Sequence, residues 1–307
     1  MDNIETHTWR YQFERLEGAY SPSTMRGYYA DVEHYTKYCS TKGINPFPTS
    51  VSDLCNYMDF AAQGSASATV RRRIYSIRKI HQLMAFPDPT RDENVNLCLR
   101  RIRRSKLERP RQALGLNKSM LNLLIDSQPK TPWGLRNAAM LSIGYDLLNR
   151  RSELVALNTS DVHFEPSGSA RIIIRRSKSD QYGSGRVAFT SRSSVDLLRS
   201  WLDWRGPEIE PLFCGIYRAK PLNRSLEASF VKRLIKQSAK LAGLPEMTIS
   251  TLSGHSLRVG AAQDLLTMGH DTSAIMRAGG WKSVNILARY LEYSNYNVWE
   301  NSAASNN

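Results

Sequence analysis

The amino-acid sequence predicts a mainly α-helical protein with a small β-hairpin or sheet, divided into two domains. Apolar residues recur at three- and four-residue steps through most of the chain, which is the period of an amphipathic helix. Two short runs rich in β-branched residues flank a polar stretch, which is typical of a hairpin. A basic segment around Pro110 interrupts the helical pattern, and the 307 residues suffice for two separate cores.

The first hundred residues predict a helical domain. Ser21-Pro22-Ser23-Thr24 combines a hydroxyl cap with a proline in the first turn, which is typical of a helix start. This helix is predicted to run to Lys42 and to end at Gly43. Further helices are predicted at about 52–62, from 67 to just before Pro87, and from 93 into the basic segment. We expect the helical domain to span residues 1–107 and a linker to span 108–112.

The remainder, residues 113–307, predicts a mixed α+β domain. Arg171-Ile172-Ile173-Ile174-Arg175-Arg176 and residues 185–190 are strand-like, and the polar residues 177–184 between them complete a hairpin. The predicted helices of this domain span about 118–126, 134–148, 194–204, 226–242, 256–268, 272–278 and 284–293.

The charge of the chain favours a polyanionic partner. Lys plus Arg outnumber Asp plus Glu by 42 to 28, a net charge of +14, which suits nucleic acid or an anionic membrane surface. The alternatives are a merely basic protein and, for each basic run, a solvated helix face. Two like-signed clusters on neighbouring helices favour phosphate contact. The candidate DNA contacts in these clusters are Arg71, Arg72, Arg73, Arg101 and Arg104.

Several other classes of protein are disfavoured by the composition. The four cysteines are scattered without a C-x-x-C pair, so neither a zinc site nor a disulfide framework is indicated. No apolar run reaches the roughly 18 residues that span a bilayer, and no signal peptide is evident. There is no P-loop and no carboxylate cluster for magnesium. We therefore expect no cofactor, no metal, no membrane partner, and a cytoplasmic, nucleoid-associated location.

Three separated segments hold the informative side chains, and each side chain is weak evidence alone. An Arg and a Glu three apart, such as Arg150 and Glu153, usually form a surface ion pair. A hairpin lysine such as Lys178 is usually solvent-exposed. His255 and Arg258 share a helix face, and small residues follow them. Further downstream come Gly280-Trp281 and Arg289-Tyr290, where the tyrosine could simply pack in the core.

In combination these motifs resemble the tyrosine recombinase (phage integrase-like) superfamily. The motifs are Arg-x-Ser-Glu-Leu, a hairpin lysine, His-x-x-Arg, Gly-Trp and a downstream tyrosine, and the resemblance covers nearly the whole chain. It implies a helical core DNA-binding domain followed by a catalytic domain with a C-terminal docking segment. It implies that Arg150 and Arg258 grip the scissile phosphate and that Tyr290 is the nucleophile.

The resemblance assigns the remaining positions as well. Lys178 is the hairpin lysine, and His255 occupies the His-x-x-Arg position. Glu153 is the acidic residue three after the first arginine, and Trp281 stands where most relatives have a second histidine. Arg224 is a weaker candidate for base recognition. Arg151, beside Arg150, leaves an ambiguity that the Ser-Glu spacing resolves in favour of Arg150.

The chemistry of these side chains independently supports the assignment. Two guanidinium groups can bind the nonbridging oxygens bidentately and stay charged, so they can replace a metal. Tyrosine has a pKa of about 10 and becomes a good nucleophile only when its phenolate is stabilised. A lysine can protonate the leaving 5′ oxygen, whereas an indole can only donate a hydrogen bond.

The expected function is therefore site-specific DNA recombination through a covalent 3′-phosphotyrosyl intermediate and a Holliday junction, without metal or ATP. The expected partners are double-stranded DNA with an inverted-repeat target site and three further copies of the chain, forming a homotetramer on DNA. Residues 293–299, with Val298 and Trp299 as apolar anchors, are the expected docking segment. The alternatives are type IB topoisomerase-like strand relaxation and a non-catalytic DNA-binding protein on the same fold.

Overall fold

The computed structural model describes residues 5–106, 112–175 and 185–292. The chain divides into two compact units, Met1–Pro110 and Arg111–Asn307. Helices dominate both units, and the second also holds two small antiparallel sheets. The predicted fold class is therefore confirmed.

The first unit is helical throughout its described part. Its longest helix begins after Ser21, whose Oγ accepts a hydrogen bond from the Thr24 N–H, and ends at Gly43, where φ is +64°. Both predicted ends are confirmed, because a hydroxyl cap and a left-handed glycine act as the sequence indicated. The helices are α1 (Glu5–Glu14), α2 (Pro22–Lys42), α3 (Val51–Gly64), α4 (Ser67–Leu83) and α5 (Glu93–Ser105).

The core of this first unit is rich in aromatic rings. Tyr35 and Tyr57 are fully buried between α2 and α3, with ring centroids 4.8 Å apart. The sequence did not predict α1, which buries Trp9 and Phe13 against the N-terminal part of α2. This packing leaves most arginines of α4 and α5 on the outer faces of the unit, whereas Arg73 and Arg78 are partly buried.

The second unit combines nine described helices with five described strands. The helices are α6 (Lys118–Asp126), α7 (Pro132–Asp146), α8 (Arg151–Val155), α9 (Arg192–Arg205), α10 (Ala228–Leu241), α11 (Glu246–Thr251), α12 (Ser256–Thr267), α13 (Thr272–Gly279) and α14 (Val284–Leu291). The strands are β1 (Val162–Phe164), β2 (Ala170–Ile174), β3 (Arg186–Phe189), β4 (Cys214–Tyr217) and β5 (Lys220–Ser225).

The predicted hairpin is confirmed as β2 and β3, which pair in antiparallel register with Ile172 opposite Ala188. Strand β1 extends this sheet in the order β1-β2-β3, and β4 with β5 forms a separate two-stranded sheet. The sequence did not predict β1, β4, β5 or α11, since each is too short or too polar to show a period.

Helix α7 lies at the centre of the second unit and is buried along most of its length. It packs against α6, α9 and α12. After α7 ends at Asp146, Leu148 adopts a left-handed conformation with φ +47° while its side chain stays in the core. This turn brings Asn149 and Arg150 to the place where the candidate site forms. In the described part of the chain, no helix is long and apolar enough to cross a membrane.

Candidate active site

Arg150 lies at the junction between α7 and α8, where it caps the N-terminus of α8. Its backbone N–H donates to Oε2 of Glu153 over 3.1 Å, and its Nη1 donates to Oε1 over 2.6 Å. Glu153 is only 3% exposed. The pair is therefore a buried interaction that fixes the guanidinium, unlike the surface ion pair that its spacing alone would suggest.

Arg258 lies on α12 and is 1% exposed. Its Nη1 donates to the carbonyl of Leu148, and its guanidinium carbon lies 3.9 Å from the centre of the Trp281 ring. Its Nε and Nη2 are buried and have no hydrogen-bond partner among the residues that the structure describes. Because an unpaired buried donor is costly, these two nitrogens point to an anionic ligand.

The charges around Arg258 also favour an anion. Desolvation, followed by the positive charge of Arg150, lowers the pKa of Arg258 to about 10, while Glu153 opposes this change. Arg258 thus remains protonated at neutral pH. Arg186 adds a third guanidinium nearby, 3.8 Å from the Glu153 carboxylate. A bound phosphate would offset the positive charge that these three arginines carry in excess of Glu153.

His255 stands at the N-terminus of α12, where its N–H donates to Ser253 Oγ over 3.1 Å. Desolvation and then the positive charges of Arg151 and Arg258 lower its pKa. The residue nevertheless keeps contact with solvent. The imidazole is consequently neutral at pH 7 and can exchange a proton or a hydrogen bond with a ligand.

The structure distinguishes the two adjacent arginines. Arg151 is exposed and passes beside Gly254, where an added Cβ would lie 3.2 Å from Arg151 Cδ. Only Arg150 of the two is paired with Glu153 among the ion pairs of the described residues. Arg150 is therefore the better placed of the two for the candidate site, and its catalytic role stays a prediction.

Trp281 and Tyr290 lie side by side, with ring centroids 5.4 Å apart and an interplanar angle of 63°. Trp281 is 5% exposed, and its Nε1 has no hydrogen-bond partner in the described structure. Tyr290 is half-buried near the end of α14, and its carbonyl accepts a hydrogen bond from Gln263 Nε2 over 2.9 Å. The tyrosine therefore packs against the core and also borders the unpaired donors.

Lys178 and the proposed docking segment 293–299 lie outside the described residues. The structure therefore brings Arg150, Glu153, His255, Arg258, Trp281 and Tyr290 together without showing the seventh predicted residue.

The candidate DNA contacts on α4 differ in exposure. Arg71 is exposed and donates a hydrogen bond to the Tyr75 hydroxyl. The Arg72 side chain is half-exposed, and its Nη1 donates to the buried Asp31 carboxylate over 2.5 Å. The Arg73 side chain is only 13% exposed because it turns toward Asp31 and Ser65. Arg71 and Arg72 are therefore the better placed for a ligand, and their contact with DNA stays a prediction.

The other candidate DNA contacts are exposed. Arg101 and Arg104 project from α5. Arg224 is exposed on β5, a strand that the sequence did not predict, and the helix expected from residue 226 begins at Ala228. Their contact with DNA stays a prediction.

One polar residue of the site, Arg186, was not predicted. It begins β3, and its guanidinium donates to carbonyls and an amide oxygen on two other segments of the site. A signal was present in the sequence, because strand alternation puts Arg186 on the same face as the buried Ala188. An arginine on the buried face of a strand is unusual and needs a partner.

Comparison with known proteins identifies the family. Residues 115–296 match the model of the Phage integrase family. The chain is 31% identical over 293 residues to an integrase/recombinase XerD homolog of Selenomonas ruminantium, covering 92% of this chain and 84% of the relative. It is 28% identical to the Cre recombinase of Escherichia phage P1, covering 89% and 84% of the two chains. The motifs around His255 and Trp281 also resemble those of Cre.

The fold agrees with this result. The XerH site-specific recombinase, solved in a post-cleavage complex with its palindromic difH substrate, superposes with a TM-score of 0.65 at 17% identity, covering 92% of this chain and 79% of that one. This structural likeness shows the fold, whereas the family match and the recombinases related by sequence favour recombination over the topoisomerase and non-catalytic alternatives. Together with the clustered Arg, His and Tyr side chains, they show that the chain belongs to the phage integrase family of tyrosine recombinases.

Proposed function

We propose that this protein recombines double-stranded DNA at a specific site by forming a covalent 3′-phosphotyrosyl bond at Tyr290. The observation that carries the proposal is the group of buried, unpaired donors on Arg258 and Trp281 beside the Tyr290 ring. Such donors match the nonbridging oxygens of a phosphodiester, whose negative charge increases in the transition state.

The proposed reaction exchanges one phosphoester bond for another. The Tyr290 oxygen attacks phosphorus, the Tyr–phosphate bond forms, and the bond to the 5′ oxygen breaks. Arg150 and Arg258 bind the nonbridging oxygens, and the imidazole of His255, which lies near both arginines, accepts the phenol proton that Tyr290 loses. Lys178 gives a proton to the leaving 5′ oxygen. A 5′ hydroxyl of another duplex then attacks the phosphotyrosine, so neither ATP nor a metal is required.

The assembly that we propose has two parts. The helical unit, residues 1–107, and the catalytic unit, residues 113–307, both bind the duplex, with 108–112 as the linker. Four copies assemble on two inverted-repeat sites and exchange strands through a Holliday junction, with residues 293–299 docking on a neighbouring copy. The exposed arginines of α4 and α5 support the DNA-binding role of the first unit.

Covalent capture tests this proposal. A duplex bearing a site selected from random inverted repeats is nicked beside the scissile phosphate, so that the leaving fragment diffuses away and the adduct persists. The wild-type protein should form an SDS-stable adduct, and Tyr290→Phe should bind the duplex equally well and form none. Tyr293→Phe and Tyr296→Phe are the matched controls, which should keep the adduct. An adduct formed by the Tyr290→Phe protein would overturn the assignment.

A further inference from the structure

We propose that Arg186 is a positioning residue that holds Arg150 and Trp281 in a common geometry for cleavage. The inference rests on the proposed function and concerns how the same site is assembled. Arg186 has no assigned role in the reaction, and it contacts the two segments that carry the phosphate-binding groups.

The contacts of Arg186 join three parts of the chain. Its Nη2 donates to the Leu147 carbonyl and to Asn149 Oδ1, each over 2.8 Å, immediately before Arg150. Its Nη1 donates to the Ala278 carbonyl over 2.5 Å, three residues before Trp281. Its own backbone begins β3. One guanidinium therefore links the end of α7, the end of α13 and the hairpin.

These contacts make use of the planar shape of a guanidinium. Two separate nitrogens reach acceptors on opposite sides, which a single ammonium cannot do with the same geometry. The Arg186 side chain is 15% exposed, and desolvation lowers its pKa to about 10 while Glu153 opposes the change. The group therefore stays charged at neutral pH, and its charge is partly balanced by the same carboxylate that fixes Arg150.

Two arginines donate hydrogen bonds to successive carbonyls just after the C-terminus of α7. The Leu147 carbonyl accepts from Arg186, and the Leu148 carbonyl accepts from Arg258. Positive groups are favoured at a helix C-terminus, where the last carbonyls lack partners within the helix. A change at Arg186 should therefore alter the position of the chain from which Arg150 extends and to which Arg258 is hydrogen-bonded.

The α13 side of the link is closely packed. Gly280 has φ +67°, and a Cβ added there would lie 2.7 Å from Arg186 Cδ. The backbone just before Trp281 thus rests directly on the Arg186 side chain. Movement of that side chain would be transmitted to the indole.

The main alternative is that Arg186 only stabilises the fold, and Arg205 provides a matched control for this alternative. Arg205 is also buried in the same unit, at 2% exposure, and its Nη1 donates to the Pro211 carbonyl over 2.6 Å and to Thr159 Oγ1 over 3.0 Å. Neither partner belongs to the candidate site. A lysine at either position keeps the positive charge but cannot donate to two separate acceptors from a planar group.

The first experiment compares Arg186→Lys with Arg205→Lys in single-turnover cleavage of the nicked duplex at saturating protein. Misplacing a positioned group by about 1 Å can reduce a rate about 100-fold. We expect Arg186→Lys to cleave about 10- to 100-fold more slowly while its DNA affinity stays within about twofold of wild type. Arg205→Lys should cleave at the wild-type rate, whatever the change in its melting temperature.

A double-mutant cycle with Trp281→Phe supplies a measurement that a general loss of stability would not change. If Arg186 acts by positioning Trp281, the two substitutions together should slow cleavage by less than the product of their separate factors. A combined factor equal to the product, or wild-type cleavage by Arg186→Lys, would overturn the inference. Absence of a Tyr290 adduct in the wild-type protein would instead overturn the proposed function.

Discussion

The substitution Trp281→Phe tests the phosphate-binding role of a single N–H. In the structure the indole ring centre lies 3.9 Å from the Arg258 guanidinium carbon and 5.4 Å from the centre of the Tyr290 ring, and phenylalanine keeps an aromatic ring in that place. A hydrogen bond to a charged oxygen contributes about 1.5–3 kcal/mol. Its loss from the transition state should slow cleavage about 10- to 150-fold.

The stability of the same variant should change much less than its activity. The Nε1 of Trp281 is buried without a hydrogen-bond partner among the described residues, so its removal relieves a desolvation cost of about 1–3 kcal/mol. The smaller ring leaves a cavity, which costs a comparable amount. Because the two effects oppose each other, we expect the melting temperature to move by only about 2–4 °C.

Single-turnover cleavage and thermal melting, measured on one preparation, separate the two effects. Trp281→His is the matched variant, because an imidazole restores a ring N–H and should recover most of the rate that Trp281→Phe loses. Cleavage by Trp281→Phe at the wild-type rate would refute the reasoning. So would an equal loss in both variants, since that would make ring size the cause.

Lys178→Ala should slow cleavage of ordinary DNA but not of a strand with sulfur at the scissile 5′ position, since a thiolate leaves without a proton; Arg258→Ala should stay slow on both. Rescue of neither variant would exclude Lys178 as the acid. Arg151→Gln should raise the pKa of His255 in an NMR titration, because it removes a positive charge that lowers it. Folding lowers the pKa of His255 below its unfolded value of about 6.5, so the contribution of this group to stability is present above that pH and is lost as the pH falls. Because the variant has a smaller shift, it should lose less stability on acidification. An unchanged titration of His255 would contradict this reasoning. Excess EDTA should leave cleavage unchanged, because guanidinium groups supply the charge, and strict dependence on magnesium would refute that view. Arg72→Ala should weaken binding to all DNA sequences and reduce the slope of log affinity against log salt by about one if Arg72 binds a phosphate, whereas an unchanged slope would place it away from the backbone.

Local sequence patterns were sufficient to predict the long helices. Helix α6 was predicted with its observed bounds, and α2 was predicted with both ends, because capping residues and apolar periods act over neighbouring positions. Strand β1 has only three residues, and β5 contains Pro221 among mostly polar side chains. A strand this short has too few alternating positions to be recognised without its partner.

In the candidate site, too, contacts between sequence neighbours could be predicted and contacts between distant residues could not. Arg150 and Glu153 are close in sequence, so their pairing could be anticipated, but burial of the pair depends on the surrounding helices. The contacts of Arg186 with Leu147 and Ala278 join residues 39 and 92 positions apart. No local pattern contains such information, and for this reason Arg186 was recognised only in three dimensions.

Leu148 shows how a residue without chemistry of its own can become nearly irreplaceable. Its left-handed backbone costs about 1–2 kcal/mol in any residue with a Cβ, and glycine would remove that cost. The buried leucine side chain contributes about 1.5–3 kcal/mol, which glycine would forfeit. Polar residues that tolerate this backbone, such as asparagine, would bury an amide. In a library of all single substitutions, position 148 should therefore reject polar residues and favour apolar side chains close to leucine in volume.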